Sequence, residues 1–263
     1  MVEVYKRTAR ELMTNYIRRH AVAIWQEGPG GQFIGSGSCI QIADHLFIAT
    51  AAHNFFDIPN GGTISLFSTS SNTPLTFTAQ DYGHYGAPDT LDLAWLEIDR
   101  DSAAECGLEG LPLEGIRAYH TQQNGDIYQI TGFPAERAKP RVINNHPDIT
   151  VPLVIYNTIS GRNSNSTSDD LLTSYGRIGI TDNGLEEMPH PGGISGGGVW
   201  YIPPVDISQV WSPMQHPLVG VVTHYLPISG QIRGLRIYHW LGLLLSNHSE
   251  LSQHIEPLLN QST

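Results

Sequence analysis

The 263-residue sequence has only two cysteines, Cys39 and Cys106, too few for a disulfide framework. It has no run approaching the roughly 18 apolar residues that a membrane span needs, so no membrane partner is expected. It also lacks a basic surplus. A net charge of -11 argues against nucleic acid as a partner. The N-terminus has no signal-peptide core, because charged residues interrupt every apolar stretch. An intracellular, reducing, cytoplasmic setting is the expectation, in which the glycosylation patterns at Asn165 and Asn247 arise by chance. No H-E-x-x-H is present, and the histidines are scattered rather than set at ligand spacing. No G-x-x-x-x-G-K-[ST] occurs either. Metal-assisted and nucleotide hydrolysis are therefore unsupported, and neither a metal nor an organic cofactor is expected. There is no internal repeat.

What the chain does have is many turn residues, with Gly 27 and Pro 17, distributed between short strand-like runs. The first segment is different. Over residues 3 to 19, Tyr5, Leu12 and Tyr16, with Ala9 and Met13 beside them, recur at helical spacing. Five cations (Lys6, Arg7, Arg10, Arg18, Arg19) against two acids (Glu3, Glu11) cover much of the remaining surface. This N-terminal helical extension, residues 1 to 20, reads as a helix packed on the body. A second reading makes its basic surface a docking arm for an acidic regulatory protein partner or an anionic surface.

From Ala21 the period changes. AVAIWQ, QFIGSGSCIQIA, HLFIAT, TISLF, LTFTAQ and LAWLEI read as strands of one unit, residues 21 to 100, with EGPGG as the turn after the first. Residues 101 to 124 lose the pattern and read as a connector. DIYQITGF, VPLVIYNTI, YGRIGIT, GGVWYI, HPLVGVVTHY and QIRGLRIY form a second unit, residues 125 to 240. Asn163 to Asp170 is a polar loop. Residues 241 to 263 read as a C-terminal helix. Strands this short and this regularly punctuated predict an all-β fold of the sandwich or barrel kind.

The stretch PGGISGGGVW, Pro191 to Trp200, holds one hydroxyl, Ser195, among five glycines. A serine is a poor nucleophile without a base beside it and a third group orienting that base. His53 stands just after a buried strand in Thr50-Ala51-Ala52-His53. Asp92 opens another strand in Asp92-Leu93-Ala94. Asp89, in a turn after Pro88, is the competing acid. Gly35-Ser36-Gly37 with TAAH, then D-L-A, then Gly193-Ile194-Ser195-Gly196-Gly197 occur in one order, the three candidates spaced 39 and 103 residues apart. Thr131-Gly132-Phe133-Pro134 and Leu218-Val219-Gly220-Val221-Val222 are weaker echoes. In these motifs, spread over residues 21 to about 240, the chain resembles the trypsin-like (chymotrypsin-fold) serine peptidases, in a bacterial-type intracellular form.

That resemblance implies two six-stranded β-barrels with the site between them. It implies peptide-bond hydrolysis through a covalent acyl-enzyme, with a protein or peptide as substrate. Ser195 would be the nucleophile, His53 the general base and Asp92 the residue that holds the imidazole. The N–H groups of Gly193 and Ser195 would form the oxyanion hole. The side-chain pocket would lie beside Pro189, His190, Thr223, His224 and Tyr225. With no Asp at 189, a basic substrate side chain is not preferred; Tyr225 narrows the pocket, and either histidine would favour an acidic side chain. One departure is notable. Digestive members carry an acid just before the nucleophile, which pairs with a newly cut N-terminus. Here that position is Ile194, so residues 188 to 195 must be held by packing, prolines or a partner.

Two rivals remain. An α/β-hydrolase elbow also reads G-x-S-x-G, but needs a strand before the serine, a helix after it and the order Ser, acid, His. Here Pro189 and Pro191 precede Ser195 and a strand-like run follows. The other rival is a binding module of the same fold that no longer cleaves.

Overall fold

Local turn chemistry and strand patterning carry through into the computed structural model. It describes residues 2–27, 31–56, 58, 62–71, 73–78, 91–143, 146–150, 152–161, 169–176, 178–181, 184–204 and 212–260; the side chains of 2–10, 139–150 and 179–186 are not described. Asp89, Asn165 and most of the EGPGG turn and of the polar loop from Asn163 lie outside the described residues.

Six strands form the first antiparallel sheet: β1 (Ala21–Gln26), β2 (Gln32–Ile42), β3 (His45–Thr50), β4 (Thr63–Ser68), β5 (Leu75–Thr78) and β6 (Ala94–Ile98), in the order β5-β4-β1-β2-β3-β6. Val22, Ile24, Cys39, Ile48, Ile64, Leu66 and Leu96 fill its interior. The second half holds β7 (Ile127–Gly132), β8 (Lys139–Ile143), β9 (His146–Thr150), β10 (Val154–Ile159), β11 (Asp170–Ser174), β12 (Ile178–Thr181), β13 (Gly184–Glu187), β14 (Gly198–Ile202), β15 (Leu218–Leu226) and β16 (Gln231–Arg236). Its six-stranded sheet runs β10-β7-β14-β15-β16-β11, while β8-β9 and β12-β13 are separate hairpins. Tyr128, Ile130, Leu171, Ile194, Val199, Val219, Val222 and Ile232 form that interior. This is the two-barrel, all-β architecture with helices at both ends of the chain.

The helices hold the barrels together. In α1 (Val2–His20), Met13 and Ile17 are buried four residues apart, and Tyr16 meets the Trp200 ring edge-on at 6.2 Å. His20 donates from Nδ1 to the Glu109 carbonyl at 2.9 Å. The extension is thus packed on the body through its second half; Arg18 and Arg19 stay exposed, and the side chains of Lys6, Arg7 and Arg10 lie outside the description. The segment read as a connector opens with α2 (Arg100–Glu105), whose N-cap Asp99 accepts from the Ser102 N–H at 2.9 Å. It then crosses between the sheets, bridging Leu111 to Ile40 and Ile116 to Leu218.

The C-terminal segment differs from a single helix. It is α3 (Ile237–Leu245), a 3-10 turn at Ser249–Leu251 and α4 (Ser252–Leu259). The break falls at Ser246 and Asn247, whose side chains bond back to the Leu243 carbonyl and so compete with helix propagation. Trp240 is buried and donates to the Ala94 carbonyl at 2.9 Å, tying α3 to the strand that follows Asp92. Strands β8, β9, β11 and β13 were not legible in the pattern. Pro140 and Pro147 mask the first two, and β11 is a five-residue run behind a polar stretch.

Two buried histidines set a pH limit on this fold. Burial drives His120 and His216 down to about 4, against an ordinary value near 6.5. Below about pH 6.5 the unfolded chain therefore holds more protons than the folded one. Stability falls as pH falls through this window, by up to about 1.4 kcal/mol per pH unit for each proton taken up. Urea titrations should show a lower midpoint at pH 5 than at pH 7. His120→Gln should flatten that slope, and an unchanged slope would remove His120 from the account.

Candidate active site

The three residues of the Gly35-Ser36-Gly37 motif each have a mechanical task. A Cβ at Gly35 would lie 2.3 Å from the Asn54 amide, and one at Gly37 would lie 2.6 Å from Ile48. Both glycines let neighbours close in on β2. Ser36 then reaches across to the second half. Its N–H donates to the Ser195 carbonyl at 2.8 Å and its hydroxyl donates to the Gly193 carbonyl at 2.7 Å. The same hydroxyl accepts from the Phe133 N–H at 2.8 Å. Thr50, at the end of β3, donates to the Ser36 carbonyl at 2.7 Å. Asn54 bridges Thr50 Oγ1 at 2.9 Å and the Ser195 carbonyl at 3.1 Å. Asn54 and the role of Ser36 were not read from the sequence; Asn54 stood beside His53 with no motif of its own.

His53 sits in a 3-10 turn, Ala52–Phe55, entered from β3. Ala51 and Ala52 are fully buried, which is why small residues precede it. Asp92 is buried just before β6 and grips His53 at two points. Its Oδ1 accepts from the His53 N–H at 2.9 Å, and its Oδ2 lies 2.6 Å from His53 Nδ1. Burial pushes the Asp92 carboxyl up, but the hydrogen bonds and charge of His53 outweigh it and hold the group below its ordinary value. A second imidazole stands on the same oxygen: His224 Nδ1 is 3.7 Å from Asp92 Oδ2, and its ring is 5.6 Å from that of His53. Burial lowers the His224 pKa, with Asp92 opposing.

The Ser195 loop is assembled from close approaches. Pro191 to Ile194 make a turn closed by the Ile194 N–H on the Pro191 carbonyl at 3.2 Å, with Gly193 at φ 92°. A Cβ there would meet Phe33 at 2.5 Å and the Ala135 N at 2.8 Å. Ala135 N–H also holds the Gly192 carbonyl at 2.8 Å. Ile194, expected to need support, is 4% exposed inside the second interior, against Gly132. Ile194 is therefore held by packing, one of the supports expected for this loop. Among the described residues, the N–H groups of Gly193 and Ser195 donate to no protein acceptor. The Ser195 hydroxyl donates to the Thr223 carbonyl at 3.1 Å; it makes no hydrogen bond to His53.

Gly196 carries the tightest contact with the first half. It has φ 89°, and a Cβ would sit 1.9 Å from the Ser36 carbonyl. Gly196→Ala should destabilise the fold by about 2–4 kcal/mol, from strain and overpacking together, and displace the loop. Chemical denaturation reads the first effect; a wild-type midpoint would contradict the packing described here.

The residues expected at the side-chain pocket fall into two groups. The His190 ring meets Tyr225 edge-on at 5.8 Å, and Tyr225 meets Tyr175 at 5.6 Å. The Tyr175 hydroxyl donates to the Pro189 carbonyl. Pro189, His190 and Tyr225 thus share an aromatic wall. Thr223 is buried and donates to the Arg233 carbonyl at 3.2 Å. His224, next to Tyr225 on β15, faces the other way, toward Asp92.

No family model matches the chain, and no curated protein sequence matches it. Solved structures match in fold. Human heparin binding protein is 18% identical, with 88% of this chain and 92% of that chain covered and a TM-score of 0.55. A thermostable serine protease, AL20, from an extremophilic microorganism is 14% identical, with 90% and 98% covered and a TM-score of 0.52. Catalytically inactive tobacco etch virus protease complexed with substrate is 13% identical, with 90% and 86% covered and a TM-score of 0.51. At such identities the likeness is one of fold. The chain has the two-barrel chymotrypsin-like fold, shared with serine proteases.

Proposed function

We propose that the chain is a serine endopeptidase. The observation that carries this reading is the two-point grip of buried Asp92 on His53, which fixes Nδ1 as the protonated nitrogen and leaves Nε2 as the base. In the reaction, the Ser195 oxygen attacks the scissile carbonyl carbon as His53 Nε2 takes its proton. The carbonyl oxygen becomes an oxyanion, received by the Gly193 and Ser195 N–H groups. The C–N bond breaks as His53 returns the proton to the leaving amine. Water, deprotonated by the same nitrogen, then hydrolyses the acyl-enzyme. On this reading substrate entry turns the hydroxyl from the Thr223 carbonyl toward His53; such bonds tighten in the substrate complex. No cofactor takes part. Both cysteines are free and buried, which fits a reducing, cytoplasmic compartment.

The orientation of the hydroxyl favours one other reading, a protease-fold binding module. A fluorophosphonate probe separates the two. It should label the wild-type protein and leave Ser195→Ala unlabelled. A folded wild-type protein that resists the probe belongs to the binding-module class.

A further inference from the structure

We propose that His53, Asp92 and His224 form a Zn²⁺ site, and that the bound cation silences the catalytic base. The first half stands on geometry alone; the second rests on the protease reading.

Three ligand atoms, one from each residue, lie within 4.8 Å of one another. Asp92 Oδ2 is their centre, 2.6 Å from His53 Nδ1 and 3.7 Å from His224 Nδ1. Zn²⁺ takes imidazole nitrogen and carboxylate oxygen at about 2.0–2.2 Å, which puts tetrahedral neighbours roughly 3.4 Å apart. The His53–Asp92 separation is too short by less than about an ångström and the Asp92–His224 separation too long by a few tenths, while the two imidazole nitrogens lie at most 4.8 Å apart. Small rotations of two imidazoles supply the difference. The His224 side chain is 49% exposed, so it is free to turn, and water can complete the tetrahedron. At 3.7 Å His224 is within ion-pair reach of Asp92 but makes no hydrogen bond to it. Among the described residues, no other three His, Cys, Asp or Glu side chains converge this closely.

The consequence for His53 follows from proton balance. A neutral imidazole carries one ring proton. With the cation on Nδ1, that proton moves to Nε2, and the total charge of the ring is unchanged. Nε2 then has no lone pair to accept the Ser195 proton. Zinc thus replaces the proton in the His53–Asp92 bond and reverses the tautomer that the triad needs.

Zinc binding is measured by competition with a chromophoric chelator. Wild type and Ser195→Ala should each bind one tight equivalent of Zn²⁺. His224→Gln and His224→Asn should bind at least about tenfold more weakly. Mg²⁺ and Ca²⁺, which need six or more oxygen ligands, should not compete. His45→Gln, which removes an exposed histidine paired with Glu97, should bind as wild type does. Zn²⁺ should raise the melting temperature of wild type more than that of either His224 variant, and a cooperative melting transition in each variant verifies that it folds. Zinc binding undiminished in both His224 variants, or none in wild type, overturns the site. Labelling of Ser195 by the fluorophosphonate should slow as zinc saturates. Unslowed labelling at saturation overturns the silencing. If wild type is not labelled even without zinc, the protease reading fails, while chelator competition still decides the metal site.

Discussion

Asp92→Asn is expected to lower kcat by about 10⁴-fold near neutral pH, the cost of the wrong imidazole tautomer in Ser-His-Asp hydrolases. KM should stay near its wild-type value, because Asp92 lies behind His53 and touches no substrate. The reason is visible in the two bonds that Asp92 accepts, from the His53 N–H and from Nδ1. Both demand an acceptor. An asparagine has one acceptor and one donor group, and the backbone N–H cannot change its role. The amide oxygen therefore stays on the N–H and the NH₂ faces Nδ1. The ring then protonates Nε2 and loses its base. Stability should change as well. The folded Asp92 carboxyl titrates below its unfolded value, so its contribution is present above the ordinary carboxylate range and is lost as pH falls through the folded value. Asp92→Asn should be less stable than wild type at pH 7, and the gap should close in acid. Single-turnover acylation and urea titrations measure the two effects. A kcat within tenfold of wild type would sink the role given to Asp92.

The sequence showed the parts of this site that local geometry demands, and hid the parts that only folding brings together. The segments that carry His53, Asp92 and Ser195 were legible because each has its own constraint: small buried residues before His53, an apolar strand after Asp92, glycines in close contact around Ser195. The Thr131-Gly132-Phe133-Pro134 echo also proved mechanical. Thr131 bonds Gly198, Gly132 makes room for Ile194, and the Phe133 N–H meets Ser36. His224 was different. It was placed with Tyr225 at the pocket, since strand position was known but not which side of β15 each residue takes. A register shift between Val222 and His224 sets that, and a bulge of this kind leaves no mark in residue pattern. Asn54 went unread for a related reason: its partners, Thr50 and the Ser195 carbonyl, are 4 and 141 residues away. The strands themselves were readable wherever β-branched runs met turn residues. They failed where proline opened a strand, as in β8 and β9.

Ile194→Asp is expected to cost more than any cavity at the same place, and to remove most activity with it. The digestive peptidases that the sequence motifs resemble place an acid here, because a new N-terminal amine arrives to pair with it. In this chain the Ile194 side chain lies in the apolar cluster of Tyr128, Ile130, Val199 and Val222. Ile194→Ala should lose about 2–4 kcal/mol, as buried isoleucines do. Ile194→Asp removes the same packing and adds a carboxyl that must either stay charged without a partner or take up a proton. An unpaired buried charge costs about 3–5 kcal/mol. The loop has an escape that the core lacks: turning the side chain outward frees the carboxyl but rotates the Gly193 peptide away. On the protease reading that discards an oxyanion donor, worth about 10²–10³ in kcat. The pH dependence separates this account from mere loss of packing. Burial raises the folded pKa of the new carboxyl above its unfolded value, so the folded state binds the extra proton. The penalty is then fully present at pH 8 and shrinks toward pH 5, the same direction as in the Asp92→Asn series, although there the deficit comes from removing a native carboxylate. Ile194→Ala, with nothing to titrate, should show a constant deficit. Parallel denaturation of both variants at pH 8 and pH 5 measures the difference directly. Equal deficits at the two pH values would mean that position 194 is open to solvent, and that the loop is held by Ser36, Asn54 and Ala135 without it.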